Sequence, residues 1–378
     1  MGYTHTRKSW IAGGALAAFG AAAMLGTAIA QPAPQPAQFG APAAGGPAER
    51  SINEWLERMH QASGQRNYVG TLVVSSNTGA MASARIWHAC EGDQQVERVD
   101  SLTGAPRSTF RRNEEVITFL PQARVARTER RETPDLFPAL LKPSETAIPD
   151  FYAVRRIGGD RVAGFETDVV QLVPKDTLRF GYRIWSEKKT GLVVKLQTLD
   201  LDGRVLEQAA FSELQLDAPV RADKLNQMMA ATDGWRVEKS EAVKTSASSE
   251  GWQLKGDVPG FKPVSCYKRP TAAAPVAEGG MQWIFSDGLA SVSLFVEAYD
   301  RRRHVHEGLF SSGATQTLTR RVQDWWLTAV GDLPPQTPRA FAQTLARPKY
   351  PPLWRPGEMA PAWPRSALSP PLSYFGSI

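Results

Sequence analysis

The stretch from Leu178 to Phe211 constrains the fold most. Leu178, Phe180, Tyr182 and Ile184 alternate with Arg179, Gly181, Arg183 and Trp185, the period of two expected of a half-buried strand. The turn Glu187-Lys188-Lys189-Thr190-Gly191 leads into Leu192–Leu199, and Asp200-Leu201-Asp202-Gly203 leads into Val205–Phe211. Three successive strands joined by tight glycine-containing turns predict an antiparallel meander. Tyr68–Val74, Ala84–Cys90, Val116–Leu120 and Asp168–Val173 are short runs rich in β-formers and predict further strands. One helix precedes them. Ser51-Ile52-Asn53-Glu54 is a capping box, in which the Ser51 hydroxyl accepts from the Glu54 N–H while the Glu54 carboxylate reaches back. Ile52, Trp55, Leu56 and Met59 then share one helical face, and Gly64 is the expected stop. A helix followed by antiparallel strands predicts an α+β domain over 51–216, a curved sheet or incomplete barrel holding the helix on its concave side.

Periodicity fades after Phe211, and 217–233 is expected to be an interdomain linker. A smaller α+β domain is expected over 234–346, starting with Trp235 and Trp252. Its strands are Met281–Phe285 and Leu289–Glu297, joined across Ser286-Asp287-Gly288, and Asp324–Val330. A closing helix is expected to be capped by Thr337 and begun by Pro338, with Phe341 and Leu345 on one face. Two segments have compositions that bury no core: the Pro/Ala-rich leader 31–50 and the Pro-rich tail 347–378, read as flexible and disordered. Pro134-Asp135-Leu136-Phe137-Pro138-Ala139-Leu140-Leu141-Lys142-Pro143 is a greasy loop interrupted by prolines. It either covers a cavity on the open side of the sheet or packs into the core.

The N-terminus predicts export. Arg7 and Lys8 precede an apolar run from Trp10 to Ile29 that ends in Ala28-Ile29-Ala30, the pattern cut by signal peptidase, so 1–30 reads as a signal peptide. An uncleaved anchor is the other reading, since about 20 apolar residues span a bilayer. Of 378 residues, 44 are Lys or Arg and 38 are Asp or Glu, a mild excess that argues against a nucleic-acid partner. Two cysteines, Cys90 and Cys266, in an exported chain suggest one disulfide tying the two domains, the alternative being two independent thiols. There is no G-x-S-x-G elbow, H-E-x-x-H pair, P-loop or dinucleotide fingerprint, so no catalytic residue, metal site or cofactor is assigned. His304 and His306 are two apart but follow Arg301-Arg302-Arg303, whose charge repels a dication. The basic clusters Arg111-Arg112, Arg124/Arg127/Arg130/Arg131 and Arg301–Arg303 either meet phosphates or form solvated faces; Glu114, Glu115, Glu129 and Glu132 balance the first two.

Several motifs in order resemble the MucB/RseB family of periplasmic regulators of an envelope-stress sigma factor. They are Gly164-Phe165-Glu166-Thr167, Lys175 through Trp185, Thr190-Gly191-Leu192, Asp202-Gly203 and Glu207-Gln208 in the first domain. The second domain adds Val258-Pro259-Gly260-Phe261, Ser286 through Ser293 and Val330-Gly331-Asp332-Leu333-Pro334. The resemblance spans 51–346. It implies a first domain similar to LolA and LolB, a half-open antiparallel β-barrel with helices over an apolar cavity, and a second domain that binds the periplasmic part of a RseA/MucA-type anti-sigma factor. It further implies that lipopolysaccharide or another acylated lipid displaces the regulator. Candidate lipid-contacting residues are Trp55, Leu72, Val74, Ile86, Phe119, Leu136, Phe137, Leu140 and Leu141, which serve equally well as core, with Arg124, Arg127 and Arg130 for phosphates. Candidate partner-binding residues are Phe285, Asp287, Gly288, Phe295 and Tyr299. A periplasmic lipid or lipoprotein carrier is the competing reading, and self-association is compatible with either.

Overall fold

The computed structural model describes residues 50–92, 94–130, 148–239, 242–271 and 279–347. The expected signal peptide, the leader apart from Arg50, the loop holding Leu136, Phe137, Leu140 and Leu141, and the tail beyond Arg347 lie outside the described residues. Helix α1 (Ile52–Gln65) opens on the expected capping box: the Ser51 N–H donates to Glu54 Oε2 (2.6 Å) and Ser51 Oγ accepts from the Glu54 N–H (3.3 Å). Six strands follow: β1 (Tyr68–Ser76), β2 (Met81–Glu91), β3 (Gln94–Ser101), β4 (Ser108–Arg112), β5 (Glu115–Leu120) and β6 (Val125–Arg130). After the short helix α2 (Ile148–Phe151) come β7 (Tyr152–Val162), β8 (Phe165–Pro174), β9 (Gly181–Glu187), β10 (Val193–Leu199) and β11 (Val205–Leu216). Helix α3 (Ala222–Ala230) and strand β12 (Arg236–Lys239) complete the first layer.

These strands form one sheet in the order β12-β6-β5-β4-β3-β2-β1-β11-β10-β9-β8-β7. Every neighbouring pair is antiparallel except β12 with β6. The outermost strands are thus β12 and β7, and the sheet stays open. Its inner face carries α1: Ile52, Trp55, Leu56 and Met59 pack on Tyr152, Val170, Leu172, Ile184 and Val193. Its outer face carries α3, whose Leu225 meets Ala89 and Val96 while Met229 meets Phe110, Ile117 and Phe119.

The expected linker at 217–233 is therefore largely helix. Trp235, just before β12, packs on the first sheet, with its ring 5.0 Å from that of Phe119. The physical reason is burial: Leu225, Met229 and Trp235 cover an apolar outer face that would otherwise meet water.

A second sheet begins with β13 (Val243–Lys244). Past β14 (Gln253–Leu254) it contains β15 (Lys262–Arg269), β16 (Gly280–Ser286), β17 (Ser291–Ala298), β18 (Gly308–Ser312), β19 (Thr315–Val322) and β20 (Trp325–Asp332). The order is β13-β15-β16-β17-β20-β19-β18. Helix α4 (Gln336–Thr344) covers one face, where Phe341 packs on Phe285, Val292, Leu294 and Ala329, and β21 (Leu345–Ala346) pairs with β14. This helix begins two residues before Pro338, with Pro335 at its N-cap. Thr337 does not cap it; its buried hydroxyl donates to the Leu178 carbonyl in the first domain. Strand β18 (Gly308–Ser312) lies at one edge of the second sheet.

Candidate functional site

The joint between the two domains is built on a segment the alternation placed in a strand. Strand β9 starts at Gly181, and Thr177–Arg179 form a bend in which the Leu178 N–H donates to Asp176 Oδ1 (2.9 Å). That bend aims Arg179, which has no solvent exposure, into the second domain. Its Nε lies 3.4 Å from Asp287 Oδ2, its Nη1 lies 3.4 Å from Asp176 Oδ2, and its Nη2 donates to the Pro259 carbonyl (2.6 Å). The guanidinium lies over Phe151 (4.2 Å) and Phe261 (5.2 Å), contacts in which the ring faces attract a cation. Gly260 keeps φ at +81°, and a Cβ there would stand 2.8 Å from Phe151 and 2.9 Å from Arg179.

Asp287 belongs to the β16–β17 turn. Its Oδ1 accepts from the N–H groups of Leu289 (2.9 Å) and Ala290 (2.7 Å), and its Oδ2 accepts from the Tyr152 hydroxyl (3.1 Å). Burial pushes the Asp287 carboxyl above its ordinary range, while those N–H donors, Arg179 and Tyr152 pull the other way. A buried pair of this kind is held in one geometry because leaving either charge alone is costly. Leu289, next in the turn, joins the α1 core of the first domain.

Beside this joint the inner face of the first sheet and the second sheet enclose a cavity of about 380 Å³, the size range of small-molecule sites. The first domain supplies Leu72, Val74, Tyr182, Leu196 and Ala209, and the second supplies Ala290, Val330 and Gly331. Register explains the wall: Val74 pairs with Ala209 and Leu196 pairs with Ala209, so three neighbouring strands point short apolar side chains the same way. One end is polar, with Glu207, Asp332, Thr198 and Thr315. Thr315 Oγ1 donates to Asp332 Oδ1 (2.6 Å). Burial, and secondarily the Asp332 charge, raise the Glu207 carboxyl above its usual 4.5.

The profile of the MucB/RseB N-terminal domain matches residues 51–229, and that of the C-terminal domain matches 246–346. The chain belongs to the MucB/RseB family. It is 29% identical over 332 residues to the sigma factor AlgU regulatory protein MucB of Pseudomonas aeruginosa, covering 85% of this chain and 95% of that protein. It is 25% identical over 312 residues to the sigma-E factor regulatory protein RseB of Escherichia coli K12, covering 81% and 93%. Among solved structures, the Pseudomonas aeruginosa MucA/MucB complex matches with a TM-score of 0.60 at 24% identity, over 78% of this chain and 98% of that one. A crystal structure of MucB with MucA(peri) matches with a TM-score of 0.59 at 25% identity, over 78% and 97%. The two-domain α+β architecture is thus that of MucB.

Against this MucB/RseB frame the expected residues separate. Leu72 and Val74 line the cavity. Trp55 is buried under α1, and Ile86 packs with Tyr68 and Leu72 in the inner-face core. Phe119 faces the opposite side, because its register through β4 and β3 aligns it with Phe110 and Trp87 rather than with Ile86. Arg124, Arg127 and Arg130 lie on or beside β6, near the far edge from the cavity. Arg127 pairs with Glu238 (3.2 Å) and Arg130 with Glu114 (3.2 Å). Arg124 holds a left-handed conformation after the single 3-10 turn Pro121–Ala123.

In the second domain Phe285 is core and touches Phe341, and Asp287 and Gly288 are buried at the joint rather than offered to a partner. Phe295 and Tyr299 are half-buried, and Arg321 stacks on Tyr299 at 4.0 Å. His304 stacks on Trp326 (4.8 Å), accepts from the Asp300 N–H at Nδ1 (2.9 Å) and places Nε2 3.0 Å from Glu297. It is held as a packing residue.

The expected Cys90–Cys266 bridge does not form; both thiols are free. Cys90 lies on β2 beside His88, Cys266 lies on β15 in the second sheet, and burial pushes each thiol up to about 11. The residues that sequence reasoning missed are Arg179, Tyr152, Leu196, Glu207 and Asp332. All but Tyr152 sit in stretches whose motifs were visible, but their partners come from elements far away in the chain.

Proposed function

We propose that this chain is a periplasmic regulator that binds the periplasmic region of a RseA/MucA-type anti-sigma factor. Bound there, it shields the anti-sigma factor from regulated proteolysis and restrains the envelope stress response until lipid or lipopolysaccharide releases it. One observation carries the reading: the apolar cavity is walled by both domains, next to the ion pair that joins them. An acyl chain filling it touches both domains at once, so its binding energy depends on how they are set. A lipid drives release only if it prefers the partner-free arrangement. The names of the relatives support the regulatory half, and the complex of MucB with MucA(peri) supports the partner. The half-exposed Phe295 and Tyr299 remain the candidate partner contacts in the second domain.

The test is a calorimetric titration of the mature chain with the periplasmic segment of its cognate anti-sigma factor. Saturable binding is expected. No binding at micromolar concentrations, with lipid still retained, contradicts the regulator and favours a carrier of LolA type.

A further inference from the structure

Four of the strongly exposed large apolar side chains are gathered at one end of the first sheet. They are Met81 (72% exposed), Leu102 (55%), Leu201 (45%) and Val205 (38%). The strand order β4-β3-β2-β1-β11-β10 places the β3–β4, β1–β2 and β10–β11 turns side by side on the same edge. At a strand spacing of about 4.8 Å they form a row about 24 Å long.

The turns are fixed by their own backbones. The Ser76 N–H donates to Ala80, the Leu102 N–H to Ser83 and the Asp200 N–H to Arg204, each at 2.8–2.9 Å. The Asn77 N–H donates to the Leu206 carbonyl (2.9 Å) and ties one turn to the next. The apolar tips are therefore presented on rigid supports. The row has no net charge: the β1–β2 turn carries none, Arg204 lies 2.6 Å from Asp202 and 3.8 Å from Asp200, and Arg107 offsets the second carboxylate.

We propose that this row of turns docks on a phospholipid bilayer and brings the cavity close to the lipid surface. A stable protein interface needs about 800 Å² per partner, and a row of tips one side chain deep is a line, not a face. A bilayer interface accepts such side chains one by one while the turn backbones stay hydrated. The cavity lies directly behind the row. Val74 precedes Ser75, the partner of Met81, while Thr198 pairs with Glu207 beside the same turn. Docking stands on the turns alone, and only the passage of an acyl chain onward rests on the cavity reading above.

The test is flotation of the purified mature chain with phosphatidylethanolamine/phosphatidylglycerol vesicles. It compares the wild type, the triple variant Met81→Ser/Leu102→Ser/Leu201→Ser and the cavity variant Leu196→Trp. The triple variant keeps the wild-type melting curve and loses about tenfold in vesicle binding, because affinity scales with inserted apolar area. Leu196→Trp floats like the wild type even if the cavity takes no lipid. Equal flotation of the triple variant and wild type overturns the proposal, as does absence of flotation for both. A shift of the triple variant from dimer to monomer, without vesicle binding by the wild type, assigns the row to contacts between copies and also overturns it.

Discussion

The Arg179 and Asp287 side chains are both without exposure and come from different domains; Arg179 is the cation beside Asp287, and it also faces the partly exposed Asp176. Asp287→Ala leaves Arg179 buried against Asp176 alone and is expected to cost about 3–5 kcal/mol in urea denaturation. Adding Arg179→Met should recover much of that loss, because two neutral side chains need no pairing. Equal losses in the single and double variants would refute the pair's role. Glu207 titrates in the opposite sense from a paired carboxylate. Its raised value means its contribution to stability is full below the unfolded value of 4.5 and is lost as pH rises through the folded value. Glu207→Gln should therefore be more stable than wild type at neutral pH and flatten the stability curve across the acid range, with Asp332 as the remaining charge. An unchanged acid slope would count against it. The thiols, raised to about 11, should alkylate only after unfolding. Neither Arg179 nor Glu207 was legible as a site, and Asp287 was singled out for a partner rather than for the joint. Arg179 fitted a strand alternation in every respect except its destination, and periodicity holds no information about which distant element a side chain will meet.

At the scale of elements more was legible. The α1 cap and its apolar face, the meander and the β16–β17 hairpin follow from local chemistry, since capping, period and turn residues act within a few positions. Sidedness was not. A period of two separates two faces but does not say which one is inner, and Phe119 and Ile86 fall on opposite faces only through register across β3 and β4. Helix α3 escaped because its apolar positions are few, and packing on the outer face decides it. Met229, 2% exposed beneath that face, anchors it. Met229→Ala is expected to cost about 2–5 kcal/mol and to change the fluorescence of neighbouring Trp235. A variant with wild-type stability would show that α3 is peripheral.

For the molecule as a whole, two domains and the family were readable in order along the chain, but the cavity was not, because half its wall comes from each domain. Filling it should uncouple the two ligands. Leu196→Trp places an indole where an acyl chain would lie, at an overpacking cost of about 1–3 kcal/mol, and leaves Phe295 and Tyr299 untouched. The most direct test is the Kd for the anti-sigma periplasmic segment, measured across a lipopolysaccharide titration in wild type and Leu196→Trp. Lipid should weaken the wild-type complex by about tenfold, within the usual range of coupling between sites, and leave the Leu196→Trp complex nearly unchanged. The same weakening in both proteins would contradict the claim that the interdomain cavity links lipid to release.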